Sequence, residues 1–298
     1  TDGRTRIDAV GGGRTTLAEL VLGVPVRVDY FTASGSPPLA DRVRVLSGLP
    51  VVGPARVNLD VPFGTESQPL VRVFGDDSGD ALGSYGVDGV AFGDLNGDGF
   101  DDLVVGSPSA NGIAGEVTVV YGKAGLRASV VDLDTDGALS PLGETRILAA
   151  GVDQVLGSAV ACGDFDADGF DDLFIGAPGA GSGGQVLVVY GSETLPGTLI
   201  DLALAGSATT ILADEPQESL GTSLASGDID GDGFDDLLIG APGATPFANH
   251  RGGKVYVVYG NRTSRGTELD LDTDEAIGPA GETRIFGERD GDRAGQRQ

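Results

Sequence analysis

The sequence predicts an all-β protein made of stacked four-stranded units, the architecture of a β-propeller. Three observations lead there. A sixteen-residue acidic motif recurs three times in 298 residues. Each copy is followed by an alternating apolar run ending in Val-Val-Tyr-Gly. Turn residues abound, with 51 Gly and 15 Pro against a usual Gly share of ~7%, while helical periodicity is almost absent.

The three motifs are Gly93–Pro108, Gly163–Pro178 and Gly227–Pro242. Their first acids, Asp94, Asp164 and Asp228, lie 70 and 64 residues apart. The alternating runs are Glu116–Gly122, Gln185–Gly191 and Lys254–Gly260. A second marker keeps the same period. Thr145-Arg-Ile and Thr283-Arg-Ile are identical, Thr209-Thr-Ile lies between them, Val71-Arg-Val is a looser copy, and Thr5-Arg-Ile opens the chain. A third marker, Leu-Gly, precedes each acidic motif at Leu82-Gly83, Leu156-Gly157 and Leu220-Gly221. Short runs of Val, Ile, Leu and Tyr bounded by Gly, Pro and Asp read as strands. About four strands fit each ~70-residue period, and a four-stranded sheet that cannot bury both faces alone must stack on its neighbours.

On this period the chain divides at the Thr-Arg-Ile marker. Residues 71–144, 145–208 and 209–282 are full repeats, and 283–298 is the truncated start of the next. Residues 1–70 are a degenerate first repeat without the acidic loop. There Leu20–Pro25 matches Leu103–Pro108, and Val26–Tyr30 would take the place of the Val-Val-Tyr strand. The alternative is a separate small β-module over residues 1–60. About four blades are therefore expected. A broken repeat and the lack of any Met suggest a mature product or a piece of something longer. Residues 283–298 would then pair with Thr5–Asp8 in a small closed ring, or stay open in a larger one, which is the favoured arrangement.

The acidic loop carries the chemistry. In Asp94-Leu-Asn96-Gly-Asp98-Gly99-Phe100-Asp-Asp102, side-chain oxygens stand at positions 1, 3, 5 and 9. The carbonyl of Phe100 at position 7 can join them, and Gly99 permits the sharp turn. This is the first nine-residue spacing of the EF-hand calcium loop. The other copies supply Asp164, Asp166, Asp168, Phe170 and Asp172, then Asp228, Asp230, Asp232, Phe234 and Asp236. Oxygen donors in this number favour Ca²⁺ over Mg²⁺, and without Cys or His zinc is a poor match. Position 12 is Val105, Ile175 or Ile239 instead of Glu, so the loop enters an apolar strand, not a helix. The alternative is a set of Asp-Gly turns held by Asx hydrogen bonds. Three copies with one spacing count against it, because crowded carboxylates repel one another without a cation.

The whole pattern, Leu-Gly, then Gly-Asp-x-Asp-Gly-Asp-Gly-Phe-Asp-Asp-Leu-Leu-Ile-Gly-Ala-Pro, then Val-Tyr-Val-Val-Tyr-Gly, resembles the FG-GAP repeat. That family includes the calcium-binding propeller of integrin α subunits, secreted bacterial proteins and a region of glycosylphosphatidylinositol-specific phospholipase D. The resemblance runs from about residue 70 to 298. It implies Ca²⁺ at three sites, with the fifteen residues above as ligands, a seven-bladed ring of which this chain holds about four blades, and a secreted, bacterial-type member. It gives Asp101, Asp171 and Asp235 no ligand role, so each is expected to point outward or to cap a turn.

Composition excludes several functions. A formal charge of −26 is wrong for nucleic acid and for anionic membranes. No apolar run is long enough for a membrane-spanning helix. One Cys excludes an internal disulfide, and Cys162 reads as a buried, inert thiol on an inner strand. His250 has no evident nucleophile beside it, and no Gly-x-Ser-x-Gly elbow exists. Asp132–Gly137 and Asp270–Asp274 imitate the loop but read as solvated edge strands, like Asn58–Asp60 and Asp201-Leu202. Asn261-Arg-Thr263 reads as a chance sequon. The expected function is a non-enzymatic, calcium-stabilised scaffold outside the cell, secreted or on its surface. Its partner would be a protein or glycan on a cell surface or matrix. The alternatives are the propeller of a secreted hydrolase or lyase, and a subunit of a surface assembly completed by neighbouring chains.

Overall fold

The computed structural model describes residues 19–22, 24–29, 42–46, 70–74, 81–83, 89–124, 130–132, 143–204, 208–245, 252–263, 265, 268–271, 282–286 and 293–296. Two compact units divide the chain, residues 1–79 with 123–137 and residues 80–122 with 138–298.

In chain order the strands begin with β1 (Glu19–Leu22), β2 (Val24–Asp29), β3 (Arg42–Leu46) and β4 (Leu70–Phe74). Then come β5 (Val90–Gly93), β6 (Asp102–Ser107), β7 (Glu116–Val120), β8 (Val130–Asp132) and β9 (Thr145–Leu148). The next period gives β10 (Val160–Gly163), β11 (Asp172–Ala177), β12 (Gln185–Val189), β13 (Leu199–Asp201) and β14 (Thr209–Leu212). The last holds β15 (Ser223–Gly227), β16 (Asp236–Ala241), β17 (Lys254–Val258), β18 (Glu268–Asp270) and β19 (Glu282–Phe286). The one helical segment among the described residues, Ala110–Ile113, has left-handed Asn111 and Gly112 inside it and is a turn in substance.

The first unit is one sheet ordered β1-β2-β3-β4-β8. Its first four strands form an antiparallel meander, and β8 lies parallel to β4. Val26–Tyr30 was expected in the third-strand place. That place is taken by β3, beside β4, and β2 occupies the second. The match to Leu103–Pro108 fails because Leu20–Pro25 spans parts of two strands, β1 and β2, whereas Asp102–Ser107 is one strand.

The second unit holds three sheets, β5-β6-β7-β9-β13, β10-β11-β12-β14-β18 and β15-β16-β17-β19. Each is an antiparallel meander of four strands. In the first two a fifth strand joins parallel at the outer edge. That strand comes from the following period: β13 precedes β14 in sequence but pairs with β9 of the sheet before. The Thr-Arg-Ile strands behave likewise. β9, β14 and β19 each close the sheet begun by the preceding acidic motif. Residues 282–286 are therefore not an isolated opening strand: Ile285 pairs with Val255. The proposed partner Thr5–Asp8 lies outside the described residues.

Adjacent sheets pack face to face. Leu95, Val104, Val117, Leu156, Leu173 and Ile175 share one buried core between the first two sheets of this unit. Phe165, Phe174, Leu220, Leu237, Ile239 and Tyr256 share the next. Phe165 and Phe174 meet edge to face at 5.7 Å between ring centres. Neighbouring backbones approach closely where the first Gly of Gly106-Ser-Pro108, Gly176-Ala-Pro178 and Gly240-Ala-Pro242 meets the Gly of Leu156-Gly157, Leu220-Gly221 and Ala294-Gly295. A Cβ on Gly106, Gly176 or Gly240 would lie 2.1, 2.1 and 2.2 Å from the carbonyl oxygen of Gly157, Gly221 and Gly295. Only a residue without a side chain fits. All-β sheets stacked in this way are propeller blades.

Tyr and Thr markers meet within a blade. The hydroxyls of Tyr121, Tyr190 and Tyr259 lie 2.8, 3.1 and 3.0 Å from Oγ1 of Thr145, Thr209 and Thr283. The end of the third strand is thus tied to the start of the fourth.

Candidate metal centre

Each acidic loop joins the first two strands of a blade, so both ends are fixed by a hydrogen-bonded ladder. Position 9 is the buried anchor. Asp102 and Asp172 are fully buried and Asp236 is nearly so. One oxygen of each accepts the amide of position 2: Leu95 at 3.0 Å, Phe165 at 3.1 Å and Ile229 at 2.9 Å. The other accepts the amide of the Gly in Tyr-Gly: Gly122 at 2.8 Å, Gly191 at 2.9 Å and Gly260 at 3.0 Å. That Gly must be bare, since a Cβ on Gly191 would lie 2.3 Å from the Asp171 carbonyl oxygen.

Position 1 folds the loop over itself. Asp94 accepts from the amides of Asp98 and Gly99 at 3.0 and 2.8 Å, and Asp164 from Asp168 and Gly169 at 3.0 Å each. Asp228 accepts from Gly231, Asp232 and Gly233 at 2.7, 3.2 and 3.2 Å. Position 5 accepts the amide of position 7: Asp98 from Phe100 at 2.9 Å, Asp168 from Phe170 and Asp232 from Phe234 at 3.0 Å. At position 3, Asn96 and Asp230 accept from Asp98 and Asp232 at 2.9 and 3.1 Å. The Asx turns expected as an alternative are therefore present. They coexist with converging oxygens, because each carboxylate has more lone pairs than these amides use.

In the second loop one oxygen each from Asp164, Asp166 and Asp172 lies within 4.8 Å of the others, and in the third the same holds for Asp228, Asp230 and Asp236. In the first, position 3 is Asn96, whose Nδ2 donates to Asp98 at 3.3 Å. Asp166 is 4% exposed, and its Oδ1 is buried with no hydrogen-bond partner. A buried carboxylate oxygen of this kind fits a cation. Burial pushes the carboxyls of Asp102 and Asp172 up to about 7, against the pull of their backbone amides and with help from the neighbouring Asp residues. A divalent cation would reverse that penalty.

Asp171 and Asp235 neither point outward nor cap a turn of their own loop. Asp171 accepts the amide of Asp94 at 2.8 Å, and Asp235 that of Asp164 at 3.0 Å. Their own amides donate back to the Asp94 and Asp164 carbonyls at 3.1 and 2.9 Å. Each thus clasps the loop of the preceding blade. Asp101 is exposed, as expected. Sequence reasoning also missed Arg265, whose Nε donates to Asp166 and Nη2 to Asp168. The identical Asp at position 8 of all three copies was a usable signal for the clasp, whereas Arg265 left none.

A third acidic group shows what a filled cluster looks like. Asp214, Glu215 and Glu218 surround the buried ammonium of Lys254 at 2.7, 3.0 and 3.0 Å. Cys162 is half-buried on β10, and burial pushes its thiol up. His250 and residues 133–137 and 272–274 lie outside the described residues, while Asp132, Asp201 and Asp270 end the edge strands β8, β13 and β18.

These blades and loops define a repeat protein of the propeller class. The FG-GAP repeat family matches at residues 87–120, 156–189 and 220–258, so the chain carries three FG-GAP repeats. It is 33% identical over 216 residues to phosphatidylinositol-glycan-specific phospholipase D of Rattus norvegicus, covering 67% of this chain and 23% of that protein. It is 31% identical over 198 residues to integrin alpha-PS5 of Drosophila melanogaster, covering 61% and 17%. It is 29% identical over 188 residues to integrin alpha pat-2 of Caenorhabditis briggsae, covering 58% and 14%. The chain thus spans less than a quarter of these relatives. All three are animal proteins, so the bacterial-type expectation is not borne out. Among the described residues no helix is long and apolar enough to cross a membrane.

Proposed function

We propose that the three loops each hold one Ca²⁺ and that the chain is a calcium-stabilised scaffold working outside the cell. The observation that carries this is the second loop, where three carboxylates converge and Asp166 keeps one buried oxygen without a partner. The ligands would be Asp94, Asn96, Asp98 and Asp102, their counterparts in the other loops, and the carbonyls of Phe100, Phe170 and Phe234. Bound calcium would supply charge neutralisation and a tie between the first two strands of each blade. Exposed loops suit the weak affinities of extracellular calcium modules, roughly 10⁻⁴–10⁻³ M, which supports a secreted or cell-surface setting. There the blades, as part of a seven-bladed ring, would present a binding or adhesion surface to a protein or glycan partner. The relatives named as integrin alpha subunits support that role, and the one named as a phospholipase carries its similarity over a fraction of its length.

The test is direct. Metal-stripped protein titrated with CaCl₂ and followed by calorimetry should take up three ions per chain, and its melting temperature should rise with calcium concentration. Magnesium should do so more weakly. A melting temperature indifferent to millimolar calcium would overturn the proposal.

A further inference from the structure

We propose that Arg265 is a positioning residue for the second loop, fixing Asp166 and Asp168 through one oxygen each so that Asp166 Oδ1 is left for the cation. The inference rests on the calcium reading above. Arg265 follows the exit of β17, 97 and 99 residues away in sequence from its two partners. Its Nε and Nη2 both donate to Oδ2 atoms, of Asp166 and of Asp168, which stand at positions 3 and 5 of the loop. The guanidinium lies 4.5 Å from the ring centre of Tyr190. That ring is itself held by the hydroxyl contact with Thr209 at 3.1 Å. Arg262, three residues earlier, donates to the Ala167 carbonyl between the two acids at 3.1 Å. One short segment thus grips three consecutive residues of the loop.

The fork geometry matters. A planar guanidinium spans two carboxylates at fixed angles, which an ammonium cannot do. It offsets one of four negative charges and holds Asp166 with its free oxygen buried. Partners of this kind behind metal ligands typically govern affinity by about 10–100-fold. The first loop differs: it already carries Asn96 in place of one Asp, and the equivalent exit, Ser192–Pro196, has Glu193 and Pro196 where Arg262 and Arg265 stand. The three loops are therefore unequal in how their ligands are held.

Calcium isotherms of the full chain, measured well below its melting temperature, test this. Arg265→Gln should weaken one of three sites by about 10–100-fold and leave two unchanged. Asp166→Asn should weaken the same site, so that combining the two changes leaves the other pair intact. Arg265→Lys, which keeps the charge without the fork, should recover only part of the affinity. A merely structural role would lower the melting temperature of metal-free protein without moving any isotherm. Unchanged or tightened binding in Arg265→Gln would overturn the assignment, the tightened case making Arg265 a competitor of the cation. If Arg265→Gln does not fold, an unchanged isotherm for Arg265→Lys would overturn it equally. A wild-type chain that takes up no calcium would instead remove the scaffold reading and this inference together.

Discussion

Replacing Asp172 by Asn isolates what the buried anchor does with and without a cation. The change keeps the side-chain size and removes one charge. Asp172 holds two amides, Phe165 at 3.1 Å and Gly191 at 2.9 Å. An Asn can accept from one of them and must turn its NH₂ toward the other, which costs roughly 1–3 kcal/mol for the unsatisfied donor. The same change removes a fully buried charge whose carboxyl is pushed up to about 7 by burial. In metal-free buffer at pH 8 these effects oppose, and the net cost should stay near ~1 kcal/mol. With calcium at a hundredfold excess over its dissociation constant, binding adds about 2.7 kcal/mol per site. The variant forfeits that amount in its second loop. At about 2–4 °C per kcal/mol for a domain of this size, the melting temperature should fall by roughly 5–10 °C more in calcium than without it. Scanning calorimetry of both proteins in both buffers reads the difference. Equal losses in the two buffers would refute the reasoning and leave Asp172 as a metal-independent pin.

Three other outcomes are expected. Gly176→Ala, which would put a Cβ 2.1 Å from the Gly221 carbonyl oxygen, should cost about 3 kcal/mol in thermal unfolding because both contacting groups are backbone; Gly197→Ala, with nothing within 4 Å and only its φ of +76° to object, should cost about 1 kcal/mol. Metal-free protein should melt higher at pH 5 than at pH 8: the raised carboxyls of Asp102 and Asp172 bind protons more tightly folded than unfolded, so their contribution is lost as pH rises through about 7. Calcium, which needs the ionised forms, should reverse that slope, and the Asp102→Asn/Asp172→Asn pair should flatten the metal-free one. Asp235→Ala should destabilise by about 1–3 kcal/mol by orphaning the Asp164 amide, seen as faster hydrogen exchange there.

The period, the strands and the loop spacing were legible because each is a local pattern. The turn chemistry of Asp94–Asp102 is written in nine consecutive residues, and the structure folds it as written. Which sheet a marker joins is a different kind of information. Thr145 could open a blade or close one, and only its pairing with Val119 decides. The Tyr-Gly ending was visible as a repeat, yet its reasons are contacts between the strands of one blade: a hydroxyl on Thr209, an amide on Asp172. Asp171 was legible as identical in every copy but not as a clasp, since its partner Asp94 is 77 residues away. Arg265 had neither period nor motif, and a long side chain reaching across two loops leaves no trace in spacing.

Each edge strand is lent backward. β13 leaves its own period to lie on β9, and β18 leaves its own to lie on β14. A stretch of one period's length therefore contains parts of two sheets wherever it is cut. Removing such a stretch whole rejoins like with like, because the new junction meets the same three neighbours as the old one. Removing half of it strands a lender without a borrower. Blade number in this architecture can thus change by whole periods at any phase of the repeat, and the sequence unit that repeats need not coincide with the sheet that folds.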